Sequence, residues 1–230
     1  MEVNQAINQR RTLKVMADEH QPLDICLDQQ AAFRPVLDEL LELAAQAPFH
    51  YTCHRSHQRG DLQGLLPWRF YVLEASDCRQ LLTHLQEQGV DGGKIMGMLA
   101  AAKAMVQVTW LPEPMTTGVA EDLTQLCCLY EPSLKNMEHI AAGSAAIQNM
   151  LLAATAKGLA NYWSTGGVLR DAETFEYLNI PEQELLLGSI FLFDGESELT
   201  QNHEVTLKAG ALKEQRGEVK SWSTYIKLSQ

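Results

Sequence analysis

The residues best suited to chemistry stand near the amino terminus, in NQRRTLK (8–14). Arg10, Arg11, Thr12 and Lys14 fall within five positions. Arg offers a planar fork that matches phosphate oxygens, Lys a point charge, and Thr a hydroxyl donor. The chain as a whole is acidic, with 18 Lys and Arg against 29 Asp and Glu and a net charge of −11. A basic cluster in such a chain has two readings. It is a solvated helix end, where cations favour the negative end of the helix dipole, or it is an anion site. No GxGxxG follows a strand and no GxxxxGK[ST] occurs, so a phosphate here must be held mainly by side chains.

A second group lies in HYTCHRSH, where His50, Cys53, His54 and His57 come close together. Their spacing matches no zinc signature, so no metal ligands are assigned. His50, next to an ordered helix end, is the one suited to hydrogen-bond a ligand. Serine hydrolase chemistry finds no support. The GxSxG elbow is missing, and Gly143-Ser144 sits inside a predicted helix instead of at a strand-to-helix turn. The pairs Asp38-Glu39 and Glu121-Asp122 read as solvated faces of amphipathic stretches. No catalytic side chain is assigned.

The elements that must position these residues follow from periodicity. Residues 3–11 read as a short helix. AAFRPVLDELLELAAQ (31–46) is a stronger one, with Val36, Leu37, Leu40, Leu41, Leu43 and Ala44 at helical spacing. Pro35 suits a first turn, so the regular part is expected to begin near it, and the helix should stop at Ala47, before Pro48. Residues 49–67 form a long polar loop, of a length that often carries function. WRFYVLE (68–74) is a strand, 76–88 and 93–103 are helices, and AMVQVTWL (104–111) is a second strand. The longest helical signal runs from about Asn136 to Lys157. It is rich in Ala, with small residues that let a neighbour approach, and Gly158 stops it. LANYWSTGG (159–167) is a short strand entering a glycine turn, DAETFEYLN a short helix, and ELLLGSIFLF (184–193) a buried strand. From Asp194 on the chain is polar and weakly patterned, as an arm packing on another subunit would be. The class is α+β, with about four strands among dominant helices.

With 230 residues, 46% of them hydrophobic, the chain can bury a full core. Its acidity disfavours nucleic acid and anionic lipid as partners. No apolar run approaches the ~20 residues of a membrane span, and MEVNQAINQRR lacks the order of a signal peptide, so a cytoplasmic location is expected. Five cysteines at irregular spacing do not form a disulfide framework. Cys127 and Cys128 read as small core residues.

Five segments occur in a recognisable order. AINQRRTLK resembles the opening helix of the flavin-dependent nitroreductase family, I-x-x-R-R-S-x-R/K. AAQAPFHY (44–51) resembles its A-x-x-A-P-S/D-x. LPWRFYVLE resembles its Q-P-W-x-F-x-V strand, and SAAIQNMLLAATAKGLANYWSTGG its helix-to-strand signature ending in W. ELLLGSIFLFDG resembles the later v-x-x-G-x-i-x-l-G. Together they span most of residues 6–195, and the small single-domain members look most similar.

The resemblance implies one domain over 1–230: an α+β sandwich with a central mixed or antiparallel sheet flanked by helices, forming an intertwined homodimer. It places 49–67 near the flavin pocket and 195–230 as an arm crossing to the partner. FMN would bind at the subunit interface. Arg10, Arg11 and Thr12 match positions on its phosphate, ribityl and ring edge. Lys14 matches a cation near the pyrimidine, which would stabilise the reduced ring. Gln46 and His50 match positions reaching from the other chain, and Trp163, Ser164 and Thr165 the strand end beside the ring. The implied activity is ping-pong transfer from NAD(P)H through flavin to a nitroaromatic, quinone or similar small acceptor. Three departures stand out. The loop after His50 is longer than usual by roughly ten residues, the last strand reads LFDG where l-G-x-P is usual, and the C-terminal basic pair is not evident, with Lys213, Arg216 and Lys220 as substitutes. They keep open a second function, a non-catalytic flavin-binding or flavin-sequestering relative of the same fold.

Overall fold

The computed structural model describes residues 1–115, 130–211, 215 and 217–226. Cys127, Cys128, Glu121, Asp122, Lys213 and Arg216 lie outside the described residues. In chain order the elements are α1 (Val3–Gln9), β1 (Leu13–Ala17), α2 (Leu27–Ala45), β2 (Trp68–Glu74), α3 (Ala75–Glu87), α4 (Lys94–Ala101), β3 (Ala104–Trp110), α5 (Leu134–Ala156), β4 (Leu159–Ser164), α6 (Ala172–Tyr177), β5 (Leu185–Gly195), α7 (Glu196–Leu199) and β6 (Val205–Ala209).

A four-stranded sheet, in the order β2-β3-β5-β4, is antiparallel throughout. All seven residues of β3 are buried, as a central strand covered on both faces must be. Val106 and Val108 share one apolar cluster with Phe33, Leu37 and Leu40 of α2 and Ile147 and Met150 of α5. Met105, with Phe191 and Phe193 of β5, packs on the other side against α3 and α4 through Leu81, Leu82, Met98 and Leu99. The expected α+β sandwich, sheet between two helical layers, is what the chain forms.

Several boundaries differ from expectation for physical reasons. Helix α2 begins at Leu27, so Pro35 lies inside it and not in its first turn. The hydrogen bond that proline cannot make is offset by burial of Phe33, Leu37, Leu40 and Ala44 on one face. Helix α1 ends at Gln9, and the residues after it turn into a strand. That strand, β1, buries Leu13, Val15 and Ala17 and pairs with β6, from Leu13↔Ala209 to Ala17↔Val205. The segment 195–230 is therefore not wholly an arm. Leu199 of α7 is buried, and β6 is bonded to this chain's own β1.

A register shift between Val108 and Thr109 leaves Leu187 without a partner on β3. This bulge sends Leu187 toward α5. A Cβ on Gly143 would stand 2.9 Å from Leu187 Cδ2. Here the small residue of α5 admits a side chain of the sheet, and Trp68 lies behind it.

Candidate functional site

Arg10 caps α1, its backbone N–H donating to Ala6 O at 2.8 Å. It is thus a true helix end, whereas Lys14 stands on a strand. Arg11 is half exposed and ion-paired through Nη2 with Glu196 of α7. Thr12 O accepts the N–H of Gly210 at 2.9 Å, extending the β1–β6 pairing by one step. Only a glycine fits comfortably at 210, because a Cβ there would sit 3.0 Å from Thr12 Cβ.

Alternation along β1 turns Lys14 away from the buried face. Its Nζ lies 4.8 Å from the centroid of the Tyr162 ring, which ties the basic stretch to β4. Antiparallel register places Lys208 directly opposite Lys14. Lys208 is a basic residue the sequence reading did not single out. The signal was present in VTLKA, five residues of alternating apolar and polar type, but so short and exposed an edge strand is hard to tell from coil. A cleft of about 370 Å³, lined by Arg11, Leu13, Gly158, Ala160, Asn161 and Glu196 among others, runs between the amino terminus and β4.

Trp163 and Ser164 end β4. Trp163 is 37% exposed, and its indole occupies the space above Gly188 of β5, where a Cβ would come 2.0 Å from Nε1. Ser164 Oγ accepts the N–H of Gly166 at 3.2 Å. Thr165 O accepts from Arg170 Nε, and Arg170 Nη1 donates to Leu186 O at 2.6 Å. Burial lowers the pKa of Arg170. Gly166 and Gly167 have φ of 111° and 56°, left-handed values that favour glycine. The strand end is thus a fixed turn with Thr165 exposed on it.

Gln46 and His50 are not brought to this place within the chain. Gln46 caps α2 and bonds back to Glu42 O at 3.5 Å. His50, 75% exposed, has Nε2 3.9 Å from Glu138 Oε2 of α5. The other members of the histidine and cysteine group point apart. Cys53 is buried with Sγ 3.6 Å from Gly64 O, His54 Nδ1 bonds Ser56, and His57 Nε2 donates to Pro112 O at 2.7 Å. Among the described residues no group of three or more His, Cys, Asp or Glu is placed to hold a metal ion. Lys220 is exposed in a short helical turn.

Lys14 and Lys208 thus stand on the side of β4 where Tyr162 lies, and Trp163, the next residue, points to the opposite side over Gly188. The Ser56–His54 hydrogen bond is an exposed loop contact.

The nitroreductase family model matches residues 33–192, about seven-tenths of the chain. The chain belongs to the nitroreductase family. The match includes Gln46, His50 and Trp163–Thr165 and begins after the Arg10–Lys14 stretch. No curated protein matches. Among solved structures, a nitroreductase-like family protein from Bacillus cereus is 19% identical, with a TM-score of 0.62, over 99% of this chain and 97% of that one. A nitroreductase with bound FMN from Bacteroides fragilis is 18% identical, with a TM-score of 0.52, over 99% and 100%. A proposed NAD(P)H:FMN oxidoreductase from Staphylococcus epidermidis is 14% identical, with a TM-score of 0.55, over 98% and 96%. At these identities the likeness is one of fold. The nitroreductase fold is nonetheless shared over nearly the whole of each chain. No described helix is long and apolar enough to cross a membrane.

Proposed function

We propose that this member of the nitroreductase family is an FMN-dependent NAD(P)H oxidoreductase, acting as a homodimer on a nitroaromatic, quinone or similar small acceptor. The observation that carries the reading is the cation pair Lys14–Lys208 on the face beside Tyr162 and the β4 end. In a chain of net charge −11, such a pair calls for an anionic ligand. FMN fits the donor set, because it joins a phosphate to a flat ring whose reduced form is anionic.

Arg10, Arg11 and Thr12 would hold the phosphate and ribityl end, and Lys14 and Lys208 would face the charge. Trp163, Ser164 and Thr165 would border the ring, and Gly166 lets the backbone approach. Bound FMN would supply the two-electron chemistry, and the protein's part is to hold, orient and charge-balance it. NAD(P)H as reductant draws support from the Staphylococcus epidermidis protein of like fold.

The homodimer rests on two features. Gln46 and His50 have described contacts only with α2 and α5, as residues serving another subunit's site would. Val219, Trp222, Tyr225 and Ile226 of the C-terminal segment are exposed, Tyr225 at 96%, an apolar stretch suited to cross to a partner. A cytoplasmic setting is part of the same reading and follows from a reaction that needs NAD(P)H.

The test is the visible spectrum of the purified protein, followed by anaerobic addition of NADH or NADPH. Flavin bands that bleach, with turnover once an acceptor is added, are expected. Bands that persist under reductant would leave the flavin-sequestering function in its place.

A further inference from the structure

A cavity of about 800 Å³ opens where β3 ends and β5 begins. It is separate from the basic stretch, being walled by Trp110, Tyr130, Phe175, Ile140 and Leu185 among others. Trp110 and Tyr130 meet edge to face, with centroids 4.8 Å apart and planes at 88°. Two aromatic edges and an apolar floor make a slot suited to a flat ring.

The wall carries charged side chains, Glu176, Glu182, Glu184 and Arg170. Glu184 is 2% exposed and lines the cavity. Its Oε1 accepts from Tyr71 Oη at 2.9 Å and its Oε2 from Thr109 Oγ1 at 2.5 Å. A carboxylate has about four lone-pair positions, so each oxygen can accept a further N–H. Arg59 of the long loop is ion-paired with Glu184, Nη2 3.7 Å from Oε1, too long for a direct hydrogen bond. Arg170, also in the wall, is engaged with the carbonyls of Thr165 and Leu186. Glu176 and Glu182 line the cavity as well, so its wall is acidic even with Arg59 paired to Glu184 and Arg170 held by carbonyls.

We infer that this cavity binds a flat aromatic molecule bearing a cationic nitrogen, an amidine or protonated amine, whose N–H groups donate to Glu184 while the ring fills the slot beside Trp110, Tyr130 and Phe175. Arg59 competes with the ligand for the same oxygen. The site does not depend on the flavin reading, and its occupancy is measured without turnover.

Isothermal titration of the full chain with benzamidine, and with benzoate as the isosteric anion, tests it. Benzamidine is expected to bind saturably at one site per chain, with benzoate at least about tenfold weaker. Glu184→Gln should erase that preference. Because Glu184 also holds Tyr71 and Thr109, Ile140→Trp provides a second route: it fills the slot from α5 and should abolish binding with the carboxylate in place. Arg59→Ala should tighten benzamidine binding, which a purely structural Glu184–Arg59 pair would not do. Absence of saturable benzamidine binding, equal affinity for benzoate, or binding unchanged in both Glu184→Gln and Ile140→Trp overturns the assignment.

Discussion

Lys14 and Lys208 stand directly opposite each other on adjacent antiparallel strands. Like charges so placed destabilise a sheet, by roughly 0.2–1 kcal/mol per pair. Lys14 is partly compensated by the face of Tyr162, 4.8 Å from its Nζ, and under the proposed function a bound anion would offset the rest of the repulsion.

Two effects of opposite sign follow for Lys208→Gln. Without cofactor the variant should be slightly more stable than the parent, because the repulsion is gone. Its affinity for FMN should fall about tenfold or more, the loss of one charge-assisted contact of roughly 1.5–3 kcal/mol. Thermal melts of the flavin-free protein and titration with FMN measure the two separately. A variant that gains stability yet binds FMN as before would show that the pair faces solvent alone.

Arg11 is held by Glu196, and this exposed pair contributes little to folding. Its consequence is for binding, since Glu196 competes with any anion for the guanidinium. Glu196→Gln should therefore strengthen FMN retention several-fold at low salt, with the gain shrinking as ionic strength rises. Arg10→Ala combined with Arg11→Ala should weaken retention by much more. Equilibrium dialysis at two salt concentrations reads both. If the double substitution leaves retention unchanged, the cluster is a helix end and nothing further.

How much of this was legible beforehand depends on burial. Helices α2 and α5 and strands β2, β3 and β5 were readable because each carries a long apolar pattern fixed by one core. A proline inside a helix is locally unfavourable, so the sequence points to a start near Pro35, and only the tertiary burial of Phe33 and Leu37 places the start at Leu27. The alternating Leu13, Val15 and Ala17 of β1 overlap the basic motif, which hides the strand. The partner of β6 is nearly two hundred residues away in sequence, and no local pattern reports such a pairing. Of the candidate site, the residue types at Arg10–Lys14 and Trp163–Thr165 were visible in sequence. Lys208 was not, since only register brings it to Lys14.

Trp163 depends on Gly188. A Cβ at 188 would come 2.0 Å from the indole nitrogen and 2.8 Å from Ser164 O. The second contact is backbone and cannot rotate away. Gly188→Ala should cost about 1–3 kcal/mol of stability through overpacking and displace the indole from the β4 end. Urea unfolding gives the first quantity, and the shift of tryptophan emission in the flavin-free protein gives the second. Retention of both parental values would mean that β4 moves freely relative to β5, against the antiparallel bonding seen there.

His139 is fully buried, with Nδ1 donating to Leu111 O at 2.9 Å and Nε2 without a described partner. Burial lowers its pKa, the largest of the influences on it, while the Leu111 carbonyl and Glu113 act in the opposite direction and Lys135 and His57 reinforce the lowering. The sign of the pH dependence follows. Above an unfolded value near 6.5 the ring is neutral in both states and the contribution is fully present. As pH falls through that value the unfolded chain takes up a proton that the folded protein refuses, so stability declines until the lower folded pKa is reached. Urea unfolding at about pH 7.5 and about pH 5.5 should show this loss in the parent protein, and His139→Gln, which keeps a donor for Leu111 but no titrating ring, should show less of it. A parallel decline in both proteins would assign the acid sensitivity to other groups.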